Sequence, residues 1–182
     1  MPILKDFVAK LKPGQFILLN VPVKNAKKNY CQVLTELQAK KYRGVFISLF
    51  RDYPALFKDL SECALDLKKI TFVDGISEVN GIKKEKSDKV IYVPSPFFLD
   101  DIIKSARKLV KLLSGTKKFL FLDSATALSL YNPPDEIIRF IRSLKKIGPG
   151  GFVVVVKVGA GNPELMRILE DVSDTTLDLT KE

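Results

Sequence analysis

Six short apolar runs recur along this chain, at Phe16–Leu19, Val45–Leu49, Ile70–Val73, Val90–Val93, Phe119–Leu122 and Phe152–Val156, and amphipathic stretches lie between them. The runs show little polar alternation, which is the pattern of strands buried on both faces. A last short strand is expected at Thr176–Leu179. Tyr30, Val33, Leu34 and Leu37 share one helical face, and so do Leu99, Ile102, Ile103, Ala106, Val110 and Leu113. Ile138, Ile141 and Leu144 form a third stripe, and Leu165, Ile168, Leu169 and Val172 a fourth. Asp135 can open the third helix after Pro133-Pro134, and Asn162 before Pro163 reads as an N-cap. Strands alternating with helices require a parallel sheet with right-handed crossovers. The expected architecture is a single three-layer α/β/α domain over 1–182. Gly75–Lys89, rich in lysine, reads as a surface loop.

Composition narrows the chemistry. The chain has 182 residues, 46% hydrophobic and 28% charged, which suits a globular domain with a full core. It contains no His, so Ser-His and Cys-His triads and most zinc sites are excluded. No apolar run approaches membrane-spanning length, and Met1–Phe7 lacks a signal-peptide pattern, so a cytoplasmic protein is expected. Cys31 and Cys63 have no metal-like spacing; free thiols are expected, with a disulfide left open. The net charge of +9 suits nucleic acid or an acidic partner, but the spread of the lysines along the chain favours the lysine-rich surface of a thermophile's protein.

The connection from the first strand to the first long helix, Leu18 to Asn29, lies where a phosphate-binding loop would be. Such a loop reads G-x-x-x-x-G-K-[ST]. Val21 and Ala26 stand at the two glycine positions, Lys27 at the lysine and Lys28 at the hydroxyl position. Glycines let the backbone turn its N–H groups onto phosphate oxygens, and a β-branched Val disfavours that turn. Lys28 puts a cation where a hydroxyl would hold Mg²⁺. Taken alone, the pattern favours an ordinary strand–loop–helix connection with Lys at a solvated helix start.

The chain as a whole resembles the RecA-like ATPase superfamily, in particular its KaiC-like branch common in archaea. The resemblance is an ordered series. Pro13-Gly14-Gln15 before the first strand is similar to the family's opening, and Gly44–Ser48 to its second strand. Ile70–Ser77 resembles a strand ending in F-[IV]-D-A-[YI]-S, and Tyr92–Pro96 with Leu99 resembles YVSSPxNLT. Lys118–Leu128 is similar to the Walker B strand, with Asp123 at the Mg²⁺-binding Asp. Asp174–Leu179 resembles the closing strand. The resemblance implies a RecA-like sheet, ATP with Mg²⁺ as the ancestral ligand, and vestigial nucleotide-binding positions at Lys24, Lys27, Lys28 and Asp123. It further implies a trimmed core, because the family continues beyond the position of Leu179.

The departures from the pattern set the functional expectation. The family places an acidic pair near the end of the second strand to activate water. Here Ser48 is followed by Leu49, Phe50 and Arg51, and the nearest acid, Asp52, is displaced. The expectation is a catalytically inactive homologue with no catalytic residue, no resident metal and no required cofactor. It would act through a protein partner or RecA-type self-assembly. The alternatives are ATP or ADP binding without hydrolysis, through Lys27 and Lys24, and nucleic-acid binding. For nucleic acid the candidates are Lys83, Lys84 and Lys86 with Lys89 in the polar loop, and Lys104, Arg107, Lys108 and Lys111 on one helix. The loop lacks aromatic stacking platforms, which favours a solvated charged surface. Gly159-Ala160-Gly161 reads as a turn or an anion-binding nest, Ser124 as structural, and Tyr131–Pro134 as a turn.

Overall fold

Each apolar run becomes a strand of one sheet. The computed structural model describes residues 2–147, 151–158 and 163–180. The strands are β1 (Phe16–Val21), β2 (Arg43–Ser48), β3 (Ile70–Asp74), β4 (Val90–Tyr92), β5 (Lys118–Asp123), β6 (Gly151–Val158) and β7 (Thr175–Asp178). The helices are α1 (Pro2–Ala9), α2 (Ala26–Ala39), α3 (Tyr53–Ser61), α4 (Leu99–Leu112), the single-turn α5 (Ala125–Leu128), α6 (Pro134–Lys145) and α7 (Pro163–Val172). The sheet order is β4-β3-β2-β5-β6-β1-β7, and its pairings are parallel.

Alternate residues of each strand feed opposite cores. In β1, Phe16 and Leu18 join the core under α4, α6 and α7, whereas Ile17, Leu19 and Val21 join the one under α1, α2 and α3. The second core is aromatic. Phe46 stacks on Phe121 at 4.9 Å, and Tyr30 meets Phe121 edge-on at 5.6 Å. Helices thus cover both faces of the sheet, as expected for unbroken apolar strands.

Two acids tie strand ends together. Asp74, buried at the end of β3, accepts from the N–H groups of Tyr53 (2.6 Å), Ile76 (2.9 Å) and Ser77 (2.8 Å) and from the Ser77 hydroxyl (2.5 Å). Those bonds explain why an Asp three residues before a Ser ends this strand. Asp174 accepts from the Phe16 N–H at 2.5 Å, which aligns the start of β7 with that of β1.

The four stripes read from the sequence are α2, α4, α6 and α7, and leave out α1, α3 and α5. α3 has a start signal nonetheless: Asp52 caps it by accepting from the Ala55 N–H at 2.9 Å, and Pro54 lies in its first turn. Its presence corrects one expectation. Cys31 and Cys63 are joined in a disulfide, with Cα atoms 5.8 Å apart, because the end of α3 lies against α2. Gly75–Lys89 is a loop as expected, although Ile76 and Ser77 within it are buried. The proposed cap Asn162 and the Gly159–Gly161 segment lie outside the described residues.

Candidate functional site

The chain runs outward from β2 through β3 to β4 and then returns to β5 on the other side of β2. At such a reversal the crevice beyond the strands' carboxyl ends is where α/β sheets bind ligands. Ser48 and Asp123, the last residues of β2 and β5, are register partners there.

Asp123 is 2% exposed. It accepts from the Tyr30 hydroxyl at 2.9 Å on one oxygen, and from the Arg51 guanidinium at 3.4 Å on the other. Arg51 also lies over the Tyr30 ring, 5.3 Å from its centre, and donates to Asp59 at 2.8 Å. Asp59 in turn receives Lys27 at 2.9 Å, and Lys27 reaches Glu62 at 2.5 Å. The result is a continuous series of charges, Glu62–Lys27–Asp59–Arg51–Asp123, closed by Tyr30. Sequence position could not show that α3 and its C-cap supply two of the acids, Asp59 and Glu62.

Local sequence positions each member. Tyr30 lies one turn beyond Lys27 on α2, so both face the sheet end. Asp59 and Glu62 lie three residues apart at the end of α3. Arg51 sits in the turn after β2, where the Ser48 hydroxyl donates to the Arg51 carbonyl at 2.5 Å. Ser124 caps α5, its hydroxyl accepting from the Ala127 N–H at 3.1 Å, which is the structural role expected of it.

The electrostatics follow from this arrangement. Hydrogen bonds to Glu62 and Asp59 hold the Lys27 ammonium above its usual range. Burial works to raise the Asp59 carboxyl, but Lys27 and Arg51 outweigh it and hold the group low. Burial pushes Asp123 up, against the pull of Arg51 and Tyr30. The Tyr30 hydroxyl is driven up by burial and by the neighbouring Asp123 charge.

The β1–α2 connection is compact. Val21 remains in β1 and is buried, and Val23–Asn25 form one turn of 3₁₀ helix before α2 begins at Ala26. The Asn25 N–H donates to the Pro22 carbonyl and the Ala26 N–H to that of Val23. A phosphate cradle would need such N–H groups turned toward its ligand. Lys24 and Lys28 are exposed and stand outside the charge series. The site therefore fits Mg²⁺–ATP poorly: a guanidinium already sits on Asp123, and two loop N–H groups are spent within the loop. Among the described residues no cluster of His, Cys, Asp and Glu suits a metal ion.

Of the basic candidates elsewhere, Lys84 pairs with Glu78 at 2.6 Å and Lys104 with Asp101 at 3.2 Å. Arg107, Lys108 and Lys111 line the exposed side of α4. Lys83 and Lys86 are exposed in the β3–β4 loop. The structure does not bring these two groups together with the charge series. A groove of about 630 Å³ runs between α4 and α6, lined by Phe97, Phe98 and Ile103 together with charged Asp100, Asp101, Lys104, Glu136 and Arg139. Phe97 and Phe98 are exposed. Among the described residues no helix is long and apolar enough to cross a membrane.

No protein-family model matches the sequence, and no curated protein does. Solved structures do. An uncharacterized protein from Pyrococcus horikoshii, crystallised in complex with an unknown peptide, superposes with a TM-score of 0.74 at 16% identity, over 98% of this chain and 82% of the other. A KaiC-like protein from the hyperthermophilic archaeon Pyrococcus horikoshii gives 0.63 at 16% identity, over 93% and 75%. The flagellar accessory protein FlaH from Methanocaldococcus jannaschii gives 0.62 at 12% identity, over 97% and 76%. The chain therefore has the KaiC/RecA-like fold, a parallel α/β sheet flanked by helices.

Proposed function

We propose that this chain is a catalytically inactive KaiC/RecA-like protein with a degenerate Walker A segment, acting as a binding or regulatory subunit. One observation carries the reading: the residues at the phosphate-lysine and Mg²⁺-aspartate positions, Lys27 and Asp123, are neutralised by Asp59, Glu62 and Arg51 of the same chain. A nucleotide's phosphates would have to displace two carboxylates, and a Mg²⁺ ion would have to displace a guanidinium. β2 itself ends in Ser48, and the nearest acid after it along the chain, Asp52, is committed to capping α3 rather than to activating water.

The partner we infer is a protein. The groove between α4 and α6 offers exposed Phe97 and Phe98 to apolar side chains, flanked by charged Asp100, Asp101, Lys104, Glu136 and Arg139, and exposed aromatic side chains rimmed by charges suit a partner segment. Binding of a peptide by the similar Pyrococcus horikoshii protein supports a peptide segment as the partner. RecA-type self-assembly belongs to the same reading. Nucleic acid is less favoured, because Lys84 and Lys104 are already paired with acids of this chain.

The deciding measurement is phosphate release from Mg²⁺–ATP by purified protein. No release above buffer is expected. Turnover that Lys27→Ala abolishes overturns the reading. Nucleotide binding without turnover is the second reading, supported by the partial exposure of Lys27. A ligand at a hundred times its Kd would stabilise the fold by about 2.7 kcal/mol, which a thermal-shift titration with ATP or ADP resolves.

A further inference from the structure

The net positive charge of the chain gathers at the amino edge of the sheet. The segments that enter the four adjacent strands β2, β5, β6 and β1 meet there. Lys10 and Lys12 precede β1, and Lys40 and Lys41 precede Arg43 at the start of β2. Lys117 precedes Lys118 at the start of β5. Lys145 ends α6 and Lys146 caps it, ahead of β6. The stretches 10–15, 40–43, 113–118 and 145–147 contain no acid. Taking these nine cations from the 30 basic residues of the chain leaves 21, against 21 acidic ones. Lysines spread along the chain are thus concentrated in space, and the remainder of the molecule is neutral.

Backbone bonds hold these segments together. Arg43 and Lys118 are register partners. The Arg43 N–H donates to the Lys117 carbonyl at 3.0 Å, and the Gly14 N–H to the Gly151 carbonyl at 2.7 Å. Few of the charges are matched. Lys145 pairs with Asp174 at 2.8 Å, and the Lys118 ammonium donates to the Val110 carbonyl at 3.0 Å. Other acids stand aside: Asp66 and Asp88 precede the outer strands β3 and β4, and Glu36 lies one turn up α2 from Lys40.

A cavity of about 540 Å³ opens in this edge. Val8, Ala9, Leu11 and Pro13 give it an apolar wall, and exposed Lys40 and Lys117 stand at its rim. Buried Tyr42 lines it as well, with the Lys117 ammonium 5.5 Å from its ring centre. An apolar hollow rimmed by ammonium groups matches a ligand that carries both apolar side chains and carboxylates. A phosphate backbone has nothing to place in such a hollow. Unpaired bases would need exposed rings to stack on, and Tyr42 is buried under Lys117.

We propose that this edge docks an acidic segment of a partner protein, with an apolar side chain seated in the cavity and carboxylates on Lys40, Lys117 and the neighbouring lysines. Exposed ion pairs each add little affinity, so the seated side chain supplies most of it. The unmatched charges steer the segment in and reject basic ones. The inference rests on the reading that the partner is a protein, and it adds a site at the end of the strands opposite Asp123.

The test is fluorescence anisotropy of the full chain with labelled synthetic peptides of repeating Glu-Glu-Leu, Glu-Glu-Ser or Lys-Lys-Leu. We expect the Glu-Glu-Leu peptide to bind, the Glu-Glu-Ser peptide to bind at least fivefold more weakly, and the Lys-Lys-Leu peptide not to bind. Lys40→Glu, Lys117→Glu protein should lose at least tenfold. Lys83→Glu, Lys86→Glu protein, with the same change of net charge in the β3–β4 loop, should lose less than twofold. Absence of binding, equal affinity for the Leu and Ser peptides, or equal losses in the two double variants each overturns the proposal. A random-sequence DNA duplex that binds more tightly than the Glu-Glu-Leu peptide, and is released by Lys40→Glu, Lys117→Glu, overturns it in favour of nucleic acid. The comparison of peptides on wild-type protein needs no variant to fold. It reads peptide binding rather than turnover, so it fails independently of the ATP-hydrolysis test.

Discussion

The Tyr30 hydroxyl donates to Asp123 at 2.9 Å, linking the middle of α2 to the end of the central strand β5 beneath a wall of aromatic rings. Both groups are buried, so neither has water as a substitute partner. Tyr30→Phe keeps the ring and removes the donor. A hydrogen bond to a charged group contributes about 1.5–3 kcal/mol, and a loss in that range is expected in urea unfolding. An unchanged midpoint would mean that the bond adds nothing to stability.

Arg51 compensates two acids, Asp59 and buried Asp123. Removing one partner of a buried pair leaves a charge without its counterpart, so Arg51→Ala should lower stability by about 3 kcal/mol. Asp123→Asn in the same chain should recover part of that loss. A double-mutant cycle measures the coupling, expected at about 0.5–3 kcal/mol. Strict additivity would show that the two residues act independently.

The Lys145 ammonium and then the Phe16 N–H hold the Asp174 carboxyl below its ordinary 3.8. A depressed carboxyl contributes stability that is full above its unfolded value and lost as pH falls through its folded value. The gap in melting temperature between wild type and Asp174→Asn should therefore be constant above about pH 5 and shrink below pH 3.8. A gap independent of pH down to 2 would assign the effect of the substitution to something other than ionisation.

Gly44 pairs with Phe119 across β2 and β5, and a Cβ at Gly44 would run into the Phe119 ring. Phe119 is itself buried and has little room to yield. Gly44→Ala should cost about 1–3 kcal/mol through overpacking. Gly14 has open space around it but a φ of +80°, so Gly14→Ala should cost about 1 kcal/mol through backbone strain alone. Chemical denaturation of the two variants separates the causes: compensating Phe119→Leu should rescue Gly44→Ala and leave Gly14→Ala unchanged.

Much of the fold was legible because burial on both faces writes itself into four- and five-residue apolar runs, and every expected run is a strand. Lys27 and Asp123 were legible as positions because Lys27 follows β1 at a readable interval and Asp123 ends β5. Asp59, Glu62 and Arg51 were not singled out. The Tyr53, Leu56, Phe57, Leu60 stripe, with Asp52 as cap, was the signal for the helix that carries the two acids. Its nine residues make a weaker pattern than the fourteen of α2 or α4.

The sequence by itself determined the order of the strands and of the four longer helices, the absence of glycines from the β1–α2 connection and the absence of histidine. Those are local properties, set by side-chain size, periodicity and residue type. Tertiary structure decided the partners. It brought residues 27, 59, 62 and 123 into one charge series and residues 31 and 63 into one disulfide, because α3 returns across the end of α2 once β2 has crossed to the far side of β5. Coulomb attraction and bond formation depend on distance in space, and separation along the chain does not encode that distance.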